Sequence, residues 1–465
     1  MPVLLRVPED VKLSAFRQVA WEGDTVVLDE VAVTRMTEDR RAFESFVAEA
    51  GDRHLYGITT AHHRGATSLL SPEARVSYQR RVPPTPASFG VTLPDRLVRG
   101  IVLARVAGFI SGTAAVRPVI AQAVAAMLQG PMPLVPARGR GESGEIGTLR
   151  AVFGRLQDEL ELEAKEGMAL INGAPAAAAA LADAALTGRG RLAVADEVLA
   201  LAFDAARAPE AHLDPALEAA WRDPHQTAAL RRLRELVDTG APPRTGHQAA
   251  VAFRDIPRML GWLRRVQAWI EECATISLSA PGDNPIFATA GADGQPARVL
   301  SNAGYHDARA APMLNALAGG WADLASLAAV QAARLAENPA GLSAHEPEPE
   351  VTLLSMTALG WAEEARLAAA PTFISLGGSP PSDTSSPALL AWRLAQDAGV
   401  CLDGALACLG VLAVHTVIAD GRPAPRALAT LSRQIADGFP PGLPADQYGP
   451  ALERVAGDIG RRAHP

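Results

Sequence analysis

A mainly α-helical protein is predicted by three observations. The 465-residue chain is 48% hydrophobic but only 5% aromatic, and Ala and Leu recur throughout; helices accept these residues at little cost, whereas strands draw on aromatic and β-branched ones. Apolar residues return at three- and four-residue spacing over long stretches, the period of a helix face. No internal repeat and no linker-length segment divides these stretches. One continuous helical body is therefore expected, a bundle of long helices behind a small mixed N-terminal region.

The elements follow in chain order. Residues 1–35 alternate apolar and polar residues in places, and Thr25-Val26-Val27-Leu28 is rich in β-branching, so a short strand pair is expected there. From about residue 36 the pattern turns helical. Pro83-Pro84-Thr85-Pro86 reads as a rigid extended segment. Residues 94–129 carry helical spacing, with Pro118 as a helix start. Two further helical segments are expected over 146–163 and 164–187. Residues 258–273 are amphipathic, with Leu260, Leu263, Val266 and Ile270 on one face. Long helices are expected over 307–336 and 387–418. The acidic, proline-broken run 345–350 and the Gly/Ser/Pro-rich run 377–387 are loops. The expected organisation is a single chain 1–465, with an N-terminal region to 190 and a helical bundle over 191–465.

Bulk properties exclude several classes. The net charge is −8, and no basic stripe with interleaved aromatics suggests nucleic acid. Cys273, Cys401 and Cys408 have no metal-type spacing, and an odd, sparse set fits a reducing cytoplasm. Glu9 and Asp10 stand where a signal peptide needs an apolar run. No apolar stretch reads as long enough to span a bilayer, since the Ala-rich run at 174–186 is broken by Asp183. A soluble cytoplasmic protein without a metal is expected.

The most informative run is Gly139-Arg140-Gly141-Glu142-Ser143-Gly144-Glu145-Ile146-Gly147. Its plain reading is a polar loop with a helix cap at Ser143. Four other segments accompany it in order. They are Tyr56-Gly57-Ile58-Thr59-Thr60; Lys165-Glu166-Gly167-Met168-Ala169-Leu170-Ile171-Asn172-Gly173; Gln248 to Arg254 followed by Asp283-Asn284-Pro285; and Gly304-Tyr305-His306. Together they resemble the histidine/phenylalanine (aromatic amino acid) ammonia-lyase superfamily. Its motifs are Y-G-(I/V)-N-T, G-A-S-G-D, K-E-G-L-A-L-(I/L)-N-G, Q-D-x-Y-S-x-R…D-N-P and N-F-H. Any one match is weak, but the ordered set spans most of the chain.

The resemblance implies a long central helical bundle of the ammonia-lyase/fumarase-like type, a homotetramer, and a small amino-acid-like substrate. It also implies a self-formed methylidene-imidazolone from Glu142, Ser143 and Gly144. The amide nitrogen of Gly144 would attack the carbonyl of Glu142, closing a five-membered ring, with water lost there and from the Ser143 side chain. A tight turn must hold the backbone for this, and glycine tolerates such a turn. Tyr56 aligns with the catalytic base, a phenol that needs a positive local field to act near neutral pH. Asn172 aligns with an active-site amide. Arg254 aligns with the arginine that grips a substrate carboxylate bidentately, although an interface salt bridge is its plainer reading. Gln248 would support it, Tyr305 would contact substrate, and Asn284-Pro285 would shape a turn.

The departures are as specific. Glu142 puts a carboxylate where the family keeps a small neutral side chain, which would dampen an electrophile and repel a carboxylate substrate. Glu145 replaces the aspartate that assists cyclisation, keeping its charge but lengthening its reach. The family's second catalytic tyrosine falls on Val251, and its ring-selecting histidine falls near Pro86. The glutamine–glutamate pair that touches the amine is not reproduced in 379–384. Ala61-His62-His63 stands in place of G-F-G; the two histidines are read either as loop residues or as a new acid/base pair. Two functions remain open. One is a divergent carbon–nitrogen lyase or aminomutase in specialised biosynthesis. The other is a cofactor-free enzyme on the same fold, using Tyr56, Glu142 and His62 or His63 for a different elimination, addition or cyclisation. A catalytically silent homologue is the non-enzymatic alternative to both.

Overall fold

The computed structural model describes residues 2–62, 65–237, 248–280, 282–291, 294–337, 350–374 and 383–464. His63, the acidic run at 345–349 and the run 377–382 therefore lie outside the described residues. The described chain is mainly helical. It divides into two compact units, one of residues 1–183, 270–312 and 372–392, and a second of 184–269, 313–371 and 393–465.

The first unit begins with the expected strand pair. β1 (Val3–Leu5) and β2 (Val26–Leu28) pair in parallel, Val3 opposite Val26. The helix α1 (Glu30–Ala48) follows, capped by Asp29, whose carboxylate accepts the Val31 amide at 2.9 Å. The 94–129 stretch forms two helices, α2 (Asp95–Ile110) and α3 (Pro118–Ala126), with Pro118 in the first turn of the second. The 146–163 expectation shortens to α4 (Ile146–Phe153) and a one-turn helix, Leu156–Glu159.

The 164–187 expectation is corrected. It holds a short helix α5 (Glu166–Ile171) and then the start of a longer one, α6 (Pro175–Ala205). The break has a local cause. Asn172 is extended and Gly173 has φ +94°, where a Cβ would lie 1.7 Å from the Gly282 carbonyl oxygen, so only glycine fits. Pro175 then starts α6 without wasting an amide. Around α5 lies a buried ionic framework. Arg117 donates from Nε and Nη2 to the fully buried Glu166 at 2.8 and 2.7 Å, and the buried Lys165 pairs with Asp283.

The remaining long helices are α7 (Ile256–Ser279), α8 (Ala310–Ala336) and α9 (Ala388–Ala419). In the second unit, ion pairs tie α9 and α7 to α6: Arg191 with Asp403 at 2.8 Å and Arg264 with Asp196 at 2.6 Å.

The expectation that no apolar stretch is long enough to cross a membrane is also corrected. By length and composition the segments Glu166–Ala205, Ala310–Ala336 and Ala388–Ala419 are. Their apolar windows are 94%, 56% and 89% buried within the protein, so the same residues serve as core. Asp183 does not interrupt its helix, because its carboxylate is fully buried and satisfied by Arg96 Nε and Trp392 Nε1, both at 2.9 Å.

Candidate functional site

The loop 139–145 sits between an irregular segment and α4. Gly144 adopts φ +63°, and a Cβ there would stand 3.0 Å from both the Cβ and the carbonyl oxygen of Tyr305. This turn is thus held against Tyr305. Ser143 is partly exposed, and its hydroxyl donates to the Thr384 carbonyl at 2.8 Å.

Glu142 is folded back on its own chain. Oε1 accepts the Gly147 amide and Oε2 the Gly141 amide, both at 3.1 Å, and Arg140 Nη1 stands 3.5 Å away. The Glu142 side chain is only 4% exposed. Its charge is met by a guanidinium and by the first turn of α4, the pole of a helix that favours an anion. Neither oxygen is left without a donor, so Glu142 is occupied as an anchor of the loop.

Glu145 reaches to a different helix. Its two oxygens accept the amides of Ala176 and Ala177 at 2.6 Å each, in the first turn of α6. Burial pushes its carboxyl up to about 8. The two amides oppose that rise, Asp307 adds to it, and Arg105 opposes it.

The Tyr56 turn packs beside α5, with Gly57 against Met168. Tyr56 is partly buried. Asn172, at the end of the same α5, is buried; its side-chain oxygen accepts the Gly173 amide at 2.9 Å, and its main-chain carbonyl accepts from Arg105. His62 is partly buried, its ring 5.2 Å from that of Tyr78, whose hydroxyl accepts the His62 backbone amide at 2.9 Å. In this first unit the structure joins Gly144 to Tyr305, and the Tyr56 turn to the helix that carries Asn172. Asn284 is buried, and its side chain accepts the Asn302 amide at 2.8 Å, so it organises backbone.

Gln248 and Arg254 belong to the second unit. With its carbonyl oxygen toward the guanidinium, Gln248 accepts from Arg254 Nη1 at 2.6 Å and Nη2 at 3.3 Å. Arg254 Nε is buried and has no partner among the described residues. Val251 opens the short helix Val251–Arg254 and is 56% exposed.

Three neighbours were not legible in the motifs. Arg140 partners Glu142. Arg105 lies beside Asn172. His212 accepts the Ala249 amide at 3.0 Å, and burial, with Arg254 adding to it, holds its imidazole below the usual range. For Arg140, the adjacent opposite charge was a usable signal; for the other two, sequence distance hid the contact.

The chain is also similar to known proteins. The family model for aromatic amino acid lyases fits residues 11–158 and 153–393. The chain is 26% identical over 356 residues to a histidine ammonia-lyase of Halalkalibacterium halodurans, covering 70% of this chain and 68% of that one. Pantoea agglomerans phenylalanine aminomutase superposes with a TM-score of 0.87 at 18% identity, covering 98% of each chain. The ergothioneine-degrading ergothionase of Treponema denticola does so with a TM-score of 0.86 at 16% identity, covering 99% of each. At such identities the structural likeness shows the fold.

Proposed function

Because the chain belongs to the aromatic amino acid lyase family and is an ammonia-lyase-like enzyme, a lyase or aminomutase for amino acids, we propose the following reading. It builds its electrophile from Glu142, Ser143 and Gly144 and works on an amino-acid-like substrate in specialised biosynthesis. One observation carries this: the Glu142 carboxylate is spent on Gly141, Gly147 and Arg140. A carboxylate engaged in this way supports the reading against the objection that an anion faces the ring position. The residues fit the group, with a positive-φ glycine at Gly144 and a hydroxyl at Ser143.

Residues 142–144 would hold the methylidene-imidazolone, and the chemistry it would supply is an electron-poor carbon toward the substrate. Tyr56 accepts the substrate's β-proton. Asn172 orients the substrate by hydrogen bonding. Arg254 grips the carboxylate with its guanidinium, kept in register by Gln248. Tyr305 backs the ring-forming turn and borders the substrate. Val251 cannot pass a proton, which favours a reaction other than turnover of histidine, phenylalanine or tyrosine. A homotetramer belongs to the same reading, supported by Met356 and Leu359, 69% and 55% exposed on the helix Leu354–Ala368. A cytoplasmic location is supported by three free cysteines.

A second reading rests on the Ser143 hydroxyl, held by Thr384, and on the valine at 251. It is a cofactor-free enzyme in which Tyr56, Glu142 and His62 or His63 move protons. The intact mass of the denatured chain separates the two, read beside a near-UV difference spectrum against Ser143→Ala. A chain lighter by two waters, with absorbance lost in the variant, is expected. A chain at full calculated mass would remove the electrophile and leave the second reading.

A further inference from the structure

A cavity of about 150 Å³ opens in the first unit, between α2, the start of α6 and residues 277–309. None of residues 142–144 lines it. Much of its wall is small, Ala104 and Gly108 on α2 among it, so the space is not filled by apolar side chains. Its charged lining is Arg105, Asp307 and Arg309, with His306 and Ser277 beside them.

We propose that this cavity binds a small monovalent anion, of the size of chloride or formate, on the guanidinium of Arg105. Arg105 is 1% exposed. Among the described residues its hydrogen bonds leave from Nη1, to the carbonyls of Ala169 and Asn172, and its buried Nε has no partner. A buried cation is costly unless a counter-charge and acceptors meet it. The Phe109 ring, 4.5 Å away, meets it only in part.

The neighbouring charges are already spent. Arg309 donates its backbone amide and side-chain Nε to Asp307 at 3.1 and 3.0 Å, and Ser277 takes the other oxygen. Lys165 pairs with Asp283. The remaining carboxyl that acts on Arg105 is Glu145, which burial pushes up to about 8, so it is largely uncharged at neutral pH. One positive charge is left facing a cavity, and one small anion balances it.

The test is thermal unfolding of the full chain in sodium chloride, sodium formate and sodium gluconate at matched ionic strength. Gluconate is too large for the cavity. A saturable rise of about 2 °C is expected in chloride or formate over gluconate; which of the two acts identifies the anion. Arg105→Met should abolish the rise. Ala104→Leu, which fills the cavity and keeps Arg105, should abolish it too, and decides the matter if Arg105→Met does not fold. A crystal grown in bromide should show an anomalous peak beside Arg105 if chloride acts. Equal melting in all three salts, or a rise that survives Ala104→Leu, would overturn the proposal.

Discussion

Glu142 Oε1 accepts the backbone amide of Gly147 at 3.1 Å. The residue whose charge looked most hostile to a ring at 142–144 is therefore part of the start of α4. Helix starts leave amides without intrahelical partners, and a carboxylate five residues upstream meets one of them. The loop gains a brace, and its turn is held from one side by Glu142 and from the other by Tyr305 against Gly144.

Replacing Glu142 by Ala should therefore cost about 0.5–2 kcal/mol, the range for losing a helix-start acceptor. Glu142→Gln should cost less, since the amide oxygen still accepts one N–H. Urea denaturation of the three proteins gives the comparison. Equal midpoints would mean the brace contributes nothing.

The Glu145 carboxyl links stability to pH. Its folded value is raised to about 8 from the usual 4.5. The unfolded chain thus loses this proton first as pH rises. The contribution is fully present below about 4.5 and is lost as pH climbs through about 8. The melting temperature of the wild type should fall across that window. Glu145→Gln should flatten the fall, and an unchanged slope in the variant would refute the assignment.

Lys165 and Asp283 are each about 1% exposed at the side chain. Lys165→Met should leave Asp283 as a buried, unpaired anion and cost about 3–5 kcal/mol. The double change Lys165→Met with Asp283→Leu should recover much of the loss. A single variant as stable as the wild type, measured by chemical denaturation, would show that the pair is not coupled.

Tyr56→Phe should lower turnover by about 10²–10⁴-fold, the usual share of a general base, with an unchanged circular dichroism spectrum. Arg254→Lys should act mainly on KM, because an ammonium cannot replace a bidentate fork. Once a substrate is in hand, steady-state kinetics on both variants decides. Full activity in Tyr56→Phe would discard it as the base.

Much of this protein was legible because it is local. Helical spacing, Pro118 as a start, the strand pair near Val3 and Val26, and the Ser143-Gly144 pair are statements about neighbours in the chain. The break between α5 and α6 was missed although Asn172-Gly173-Ala174-Pro175 marks it. Continuous apolar spacing on both sides outweighed a turn whose necessity comes from Gly282, more than a hundred residues away. The membrane-length helices were misjudged for a related reason. Asp183 looked like an interruption, but Arg96 and Trp392 make it an ordinary buried group.

By itself, the sequence determined the helical class, the order of the motifs and the presence of the Ser143-Gly144 pair. Only the tertiary structure decided where the charges go. Glu142 turns back to Gly147 and Arg140, Glu145 reaches across 31 residues to Ala176, and Arg105 is buried against the end of α5. Composition and periodicity are set along the chain. Hydrogen-bond partners and desolvation are set through space, by residues that only folding brings together.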